Sequence, residues 1–462
     1  MDITRQRIAQ LVDDNSFFEI SPETGAMAVA GTGRIHGRPV FVLAFQSAPF
    51  QPDAVFDTVQ KIVAFLEQVA KDQYPLVFFH DTPALSGGRG GTPLSGDYFR
   101  LLTDRRGMGR VYCLQARLSA VVPVVSLLLG RVASAQAFPV ALSDAAVMTG
   151  QAGLCMGRPD VVREMVGEEV AFDDLGGAAV HSEVSGTVDK VVNREEEAIA
   201  WARRYLSYFP SRAGGYVPEG TAYPPAGMVP GRGVTVAKNR PFNMRGLIDS
   251  FIDAGSLLEL KESFAGEVIT GLARVEGLAV GIVANNSACN GGILFAATCR
   301  KISRFVSLCD AYGIPLLFLA DVPGLMIGVD AERSGIVKAG AELFAVLART
   351  TVKKMCVVTR KAFTGGLYAM AGPGFDTELF LAFPDAAVGV YGAETIERMA
   401  REQAVPVSEK GDYGNLPKAG ADVQRLLDQE LLDGVIMPED LRAAAGGFLR
   451  RTRRGHPGQA AL

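Results

Sequence analysis

The sequence predicts an α/β protein of two like domains, each built on a mostly parallel sheet. Three observations carry that expectation. Segments recur at a spacing of about 240 residues: Ser16-Phe17-Phe18-Glu19-Ile20 returns as Ser256-Leu257-Leu258-Glu259-Leu260, and the run Pro75 to Asp81 returns as Pro315 to Asp321. Short apolar runs alternate with helical patterns, as βαβ units require. A stretch rich in proline and glycine, 211–240, separates the copies. The expected domains are therefore 1–210 and 241–462, joined by that linker. A solenoid repeats every 20–50 residues or so, and this period is far longer. It indicates a duplicated domain, and with it a site assembled between copies.

Each element follows in order. Ile8, Leu11 and Val12 in the first copy, and Leu247, Phe251 and Ile252 in the second, are spaced for one apolar helix face. Hairpins follow, turning at Gly37 and Gly277. Helices are expected over about 54–72 and 293–312, each delivering the chain to a buried strand, 75–80 or 315–320. Late in the second copy, 355–359 reads as a strand and 360–370 as a turn entering a helix. The basic tail Arg450 to Gly455 reads as frayed.

Composition narrows the function. A net charge of −4 argues against nucleic-acid binding, which calls for a basic surface. Six scattered cysteines lack metal-binding spacing and read as reduced, cytosolic thiols. The amino-terminal residues carry no apolar signal region, and no apolar run is long enough to span a membrane. The expected location is cytoplasmic. The four histidines show no ligand spacing, so no metal is expected, and His36 reads as a surface residue of a turn. No nucleophile-elbow, zinc-protease or Walker motif is present.

Glycine-rich turns at strand ends stand out instead. Gly365-Gly366 follows a buried strand and opens a helix, where exposed amides can hold negative charge on oxygen. The equivalent turn in the first copy is Ser134-Ala135-Gln136. Ser86-Gly87-Gly88-Arg89 follows the strand ending at Asp81, and its amides and guanidinium suit a thioester or phosphate. Gly324 lies just past another strand end, the usual place for ligands in open α/β sheets. For Gly365-Gly366 tight helix–strand packing is the competing explanation, and for the stretch containing Gly87-Gly88 it is a mobile loop.

Longer motifs carry a family resemblance. The run Phe305 to Leu316, Asp321-Val322-Pro323-Gly324, Gly335 to Ala341 and Thr359-Arg360-Lys361-Ala362 resemble motifs of the carboxyltransferase β-subunits of biotin-dependent acyl-CoA carboxylases, and of the related sodium-pump decarboxylase α-subunits. Leu175-Gly176-Gly177-Ala178 with His181 and Ser185-Gly186 is similar to another. The resemblance implies two tandem crotonase-type ββα-superhelix domains, an acyl-CoA side in the first and a biotin side in the second. It implies a homo-oligomer, dimer or hexamer, whose site joins domains of two subunits. Catalysis would use backbone oxyanion holes, with Ser134 and Ala135 facing the thioester enolate and Gly365 and Gly366 facing biotin. Ser86, Gly87, Gly88, Arg89, Gln136 and Gly324 would contact substrate. Lys353-Lys354-Met355 does not qualify as a biotinylation motif, so biotin is expected on a partner, a biotin carboxylase or carrier subunit.

Two departures keep an alternative open. The family's acyl-side turn is Ala-Gly-Gly-Ala, where this chain has Ala133-Ser134-Ala135-Gln136, and the loop after Asp81 is longer than the family's. The alternative is a malonyl- or methylmalonyl-type acyl-CoA decarboxylase of the same fold, working with or without biotin.

Overall fold

The structure is a computed structural model, and it describes residues 2–20, 28–45, 52–81, 96–229, 240–390 and 423–454. The chain divides into two compact units, Met1–Pro218 with Lys261–Phe264, and Glu219–Leu260 with Ala265–Leu462. The division falls inside the expected linker, and a four-residue segment returns to the first unit.

In the first unit the elements run α1 (Ile3–Leu11), β1 (Phe18–Glu19), β2 (Ala28–Ile35), β3 (Arg38–Phe45), α2 (Pro52–Asp72), β4 (Leu76–His80), α3 (Gly96–Thr103), α4 (Met108–Leu118), β5 (Val124–Leu128), β6 (Arg131–Ala133), a 3-10 turn (Ser134–Gln136) and α5 (Ala137–Ala141). There follow β7 (Ala145–Thr149), β8 (Gly153–Cys155), α6 (Pro159–Val166), α7 (Phe172–Gly176), a π-helical turn (Val180–Val184), β9 (Lys190–Val192) and α8 (Glu195–Leu206). The main sheet has the order β1-β2-β3-β4-β5-β7-β9, antiparallel through β3 and parallel beyond it.

The second unit repeats this plan: α9 (Met244–Asp249), β10 (Leu258–Leu260), β11 (Val268–Val275), β12 (Leu278–Asn285), α10 (Ala296–Ala311), β13 (Leu316–Val322), α11 (Val329–Arg333), α12 (Ile336–Arg349), β14 (Lys354–Phe363), α13 (Thr364–Ala369), β15 (Leu379–Ala382), β16 (Ala387–Gly389), α14 (Val423–Asp428), β17 (Gly434–Val435) and α15 (Leu441–Arg454). Its sheet order is β10-β11-β12-β13-β14-β15-β17. The parallel strands are buried along their length, which is why they read as unbroken apolar runs.

The hairpins are local consequences of sequence. His36-Gly37 and Glu276-Gly277 turn with φ of 52° and 75°, and 54° and 79°. Left-handed values at both residues are what a two-residue type I′ turn needs. Each turn is held from upstream. Asp13 accepts from the His36 and Gly37 amides at 3.1 and 2.7 Å, and Asp253 from those of Glu276 and Gly277 at 3.0 and 2.7 Å. His36 is exposed, as its turn position requires.

Packing closes each unit around its sheet. In the first, Val59, Val63 and Leu66 of α2 and Leu114 and Leu118 of α4 cover Phe41, Leu43 and Phe78. In the second, Leu247, Phe251 and Ile252 join Phe448 and Leu449 against β11 and β12. Two expectations need correction. The tail is helical through Arg454, continuing a helix whose Leu441, Ala445, Phe448 and Leu449 are packed in the core, and Arg450 pairs with Glu276 and Arg453 with Glu219. And β14 continues past residue 359 to Phe363: its pairing with β13 shifts register between Ala320 and Val322, and its last residues pair with β16. The turn therefore begins at Thr364, not at Arg360.

Candidate active site

The two turns singled out in the sequence are the same structural object. In the first unit β6 pairs with β8 and runs into Ser134-Ala135-Gln136, then α5. In the second, the end of β14 pairs with β16 and runs into α13 at Thr364-Gly365-Gly366. Each turn starts with an exposed hydroxyl residue in the left-handed region, Ser134 at φ 58° and Thr364 at φ 49°. That conformation costs about 1–3 kcal/mol, and for β-branched Thr364 it is an outlier. Such strain collects at ligand-binding turns, and here it occurs twice at matching positions.

The amides that follow, Ala135 in one unit and Gly365 and Gly366 in the other, lie in a first helical turn, where no intrahelical acceptor exists, whereas Gln136 is the third residue of a 3-10 turn, whose i to i+3 pattern offers its amide the Ala133 carbonyl. Ala135 is exposed, Gln136 and Gly365 are half-buried and Gly366 is buried. Ala135 in one turn, and Gly365 with Gly366 in the other, thus have the donor chemistry of an oxyanion site.

The glycines themselves have a packing reason. A Cβ on Gly366 would lie 2.7 Å from Val322 Cγ2 and 2.9 Å from Gly324 Cα, and one on Gly365 would meet Leu325 Cδ1 at 2.9 Å. The close approach they permit is to the chain's own segment 322–325. Gly324 has φ 138°, and its added Cβ would stand 3.0 Å from Thr364 Oγ1. Gly324, Thr364, Gly365 and Gly366 therefore meet in one place, with Leu294 joined to the Gly324 carbonyl through its amide at 3.0 Å. Ser134, Ala135 and Gln136 meet in the other. Ser86, Gly87, Gly88 and Arg89 lie outside the described residues.

Ion pairs brace the strand ends beneath these turns. Asp321 of β13 and Arg360 of β14 are fully buried, and Arg360 Nε and Nη2 are each 3.1 Å from Asp321 Oδ2. Arg360 also donates to the Arg240 carbonyl at 2.9 Å and lies over the Phe242 ring. In the first unit Asp81 pairs instead with buried Arg7 at 2.6 Å, and Arg7 also reaches Glu195 at 2.5 Å. Burial alone would lower the Arg7 pKa, but Glu195 and Asp81 outweigh it and hold the guanidinium charged.

One buried polar chain lies in the first unit. His80 Nε2 lies 2.9 Å from Ser126 Oγ, which lies 2.7 Å from Ser143 Oγ, and Ser143 donates to the Pro139 carbonyl at 3.0 Å. Burial takes His80 down to about 3, so its ring is neutral. The second unit has Ala320 in its place by the repeat.

Lys354 is buried in β14 and donates to the Thr350 carbonyl at 3.1 Å, which removes it from consideration as a biotin attachment point. Among the described residues, no group of three His, Cys, Asp or Glu side chains is arranged to hold a metal ion, and no helix is long and apolar enough to cross a membrane. Sequence reasoning missed the strain at Ser134 and Thr364 and the His80 chain. A signal for the first existed: a hydroxyl residue precedes the small residues in both turns.

Comparison with known proteins identifies the family and the fold. Residues 3–93 and 94–444 match the model of the carboxyl transferase domain family. The chain is 36% identical to an uncharacterized carboxylase, YngE, of Bacillus subtilis, over 98% of this chain and 92% of that one. It is 31% identical to the propionyl-CoA carboxylase beta chain of Saccharopolyspora erythraea, over 88% and 78%. Among solved structures, transcarboxylase 12S, a hexamer with hydrolysed methylmalonyl-coenzyme A bound, superposes with a TM-score of 0.85 at 28% identity, covering 99% of this chain and 91% of that one. A single-chain, multi-domain long-chain acyl-CoA carboxylase, at 24% identity and a TM-score of 0.76 over 96% of this chain and 46% of that one, shares the fold. The chain belongs to the carboxyl transferase domain family, with the crotonase-like fold of the acyl-CoA carboxyltransferases, and is an enzyme of that class.

Proposed function

We propose that this protein is the carboxyltransferase subunit that moves a carboxyl group between biotin, carried on a partner protein, and an acyl-CoA, working as a homo-oligomer. The observation that carries the reading is the duplicated turn, built alike in the two units, with Ala135 exposed in one and Gly365 half-buried beside buried Gly366 in the other. The acyl-CoA side is Ser134, Ala135 and Gln136, and the biotin side is Gly365 and Gly366 beside Gly324. The second turn fits a ureido carbonyl: Phe363 to Tyr368 carry no charged side chain, and Thr364 stands exposed beside Gly324.

Bound in its carboxylated form, biotin supplies the carboxyl group and a ring nitrogen able to take the α-proton. The amides of the acyl-side turn hold the negative charge that develops on the thioester oxygen as that proton leaves. Those of the biotin-side turn hold charge on the ureido oxygen as the carboxyl group departs. Preorganised donors of this kind are worth about 3–4 kcal/mol each when removed singly. No side-chain base is required of the chain, in keeping with its few histidines.

The test is decarboxylation of malonyl-CoA or methylmalonyl-CoA by the purified protein. Release that depends on added free biotin supports the reading. Release without biotin favours the decarboxylase alternative. Failure to bind any acyl-CoA sinks both.

A further inference from the structure

The two turns differ in how their carbonyls are satisfied, and that difference assigns a role to Tyr112. In an α-helix the carbonyl of residue i accepts from the amide of residue i+4. For Ala135 that residue is Pro139, which has no N–H. Its carbonyl instead accepts from the Tyr112 hydroxyl of α4 at 2.7 Å. Three residues further along α4, on the same face, Gln115 donates to the Pro139 carbonyl at 2.5 Å. One face of α4 thus supplies side-chain donors to two carbonyls of the turn and of α5.

The second unit serves as an internal control. Phe138 follows Ser134 by four residues, as Tyr368 follows Thr364. Tyr112 meets the Phe138 ring edge-on at 5.4 Å, and Phe344 of α12 meets Tyr368 edge-on at 6.5 Å. The aromatic pair is repeated, but the supporting helix carries phenylalanine in the second unit. There the residue four beyond Gly365 is Ala369, which has its own N–H. The hydroxyl is present where proline has removed the backbone donor, and absent where it has not.

We propose that Tyr112 is a positioning residue for the acyl-side turn, its hydroxyl standing in for the missing Pro139 amide. A trans peptide is planar, with its C=O and N–H pointing in opposite directions. Holding the Ala135 carbonyl toward α4 therefore aims the Gln136 amide away from it. The Ser134 carbonyl, which accepts from the Ala137 amide, does the same for the Ala135 amide. The turn, and with it the Ala135 amide, is then fixed before substrate arrives. The catalytic consequence rests on the function proposed above; the structural one does not.

Tyr112→Phe keeps the ring against Phe138 and removes only the hydroxyl. In the full-length protein, hydrogen exchange over 131–141 should quicken roughly threefold to tenfold, the loss expected for one hydrogen bond. In the biotin-dependent decarboxylation of methylmalonyl-CoA, kcat should fall on the order of 10- to 100-fold, with KM little changed. Pro139→Ala restores a backbone donor, so Tyr112→Phe made in that background should cost little in either measurement. Unchanged exchange in Tyr112→Phe overturns the positioning role whether or not the protein turns over. Quickened exchange with unchanged kcat overturns the catalytic consequence alone. A kcat loss that Pro139→Ala does not relieve refutes the donor substitution. Absence of turnover in the wild type counts against the proposed function, while exchange still decides the role of Tyr112.

Discussion

Arg360 and Asp321, 39 residues apart in the chain, close a fully buried ion pair that ties the end of β13 to β14, directly beneath the turn at Thr364. Two sequence motifs that looked independent are thus halves of one contact. Arg360→Leu leaves the Asp321 charge buried without its counter-ion, and should destabilise the second unit by about 3–5 kcal/mol. Replacing both residues with leucine should recover most of that loss. Urea-dependent labelling of the buried thiols Cys309 and Cys356, both in this unit, measures each step.

The paired glycines should respond differently to the same substitution. Gly366→Ala drives a methyl into the Gly324 backbone, where nothing flexible can yield, and should cost about 1–3 kcal/mol. Gly365→Ala meets only the end of Leu325 and should be tolerated with less than about 1 kcal/mol lost. Gly365 is the cleaner position for probing chemistry at this turn. Equal melting losses for the two variants would contradict this packing.

His80 should make the first unit sensitive to acid. Its folded value is about 3 against an ordinary 6.5, so below pH 6.5 the unfolded chain binds a proton that the native state refuses. Stability contributed by the neutral ring is complete above 6.5 and declines as pH falls toward 3. The slope from this proton is about 1.4 kcal/mol per pH unit. Trp201, the sole tryptophan, lies in this unit and reports its unfolding. In urea titrations at pH 5 and pH 7.5, the stability difference between wild type and His80→Gln should shrink at the lower pH. A constant difference would place the titrating group elsewhere.

The two hairpin aspartates offer a matched comparison. Asp253 is fully buried and also accepts from Arg442 at 2.7 Å, whereas Asp13 is more exposed and accepts from Arg203 at 3.0 Å. Asp253→Ala should cost about 2–3 kcal/mol and Asp13→Ala nearer 1, because the buried donors are left without water. Denaturation of each variant tests the order.

Much of this architecture was legible in the sequence, and the reasons are local. The turn glycines Gly37 and Gly277, the stretch rich in proline and glycine at 211–240, and apolar runs ending at Asp81 and Asp321 each report on a few neighbouring residues. The course of β14 was not legible, since its extension to Phe363 depends on pairing with β16, which no window around Thr359 contains. The glycines at 365 and 366 were visible, but their packing against Gly324 was hidden, because it joins segments some 40 residues apart. Tyr112 was invisible for the same reason. Nothing near it in sequence indicates that a proline 27 residues later leaves a carbonyl in need of a donor.

The segment Lys261–Phe264 has a consequence for how this chain can be divided. Asp189 and Lys261 are both buried, 3.2 Å apart, and the Phe264 ring lies against Gly186. A polypeptide ending at Pro218 would contain every strand of the first sheet, yet would lack the lysine that pairs with Asp189 and the ring that packs on Gly186. The repeat divides the chain at its linker, but the first compact unit is completed by four residues that come after it, so the boundary of the repeat and the boundary of the folded unit do not coincide.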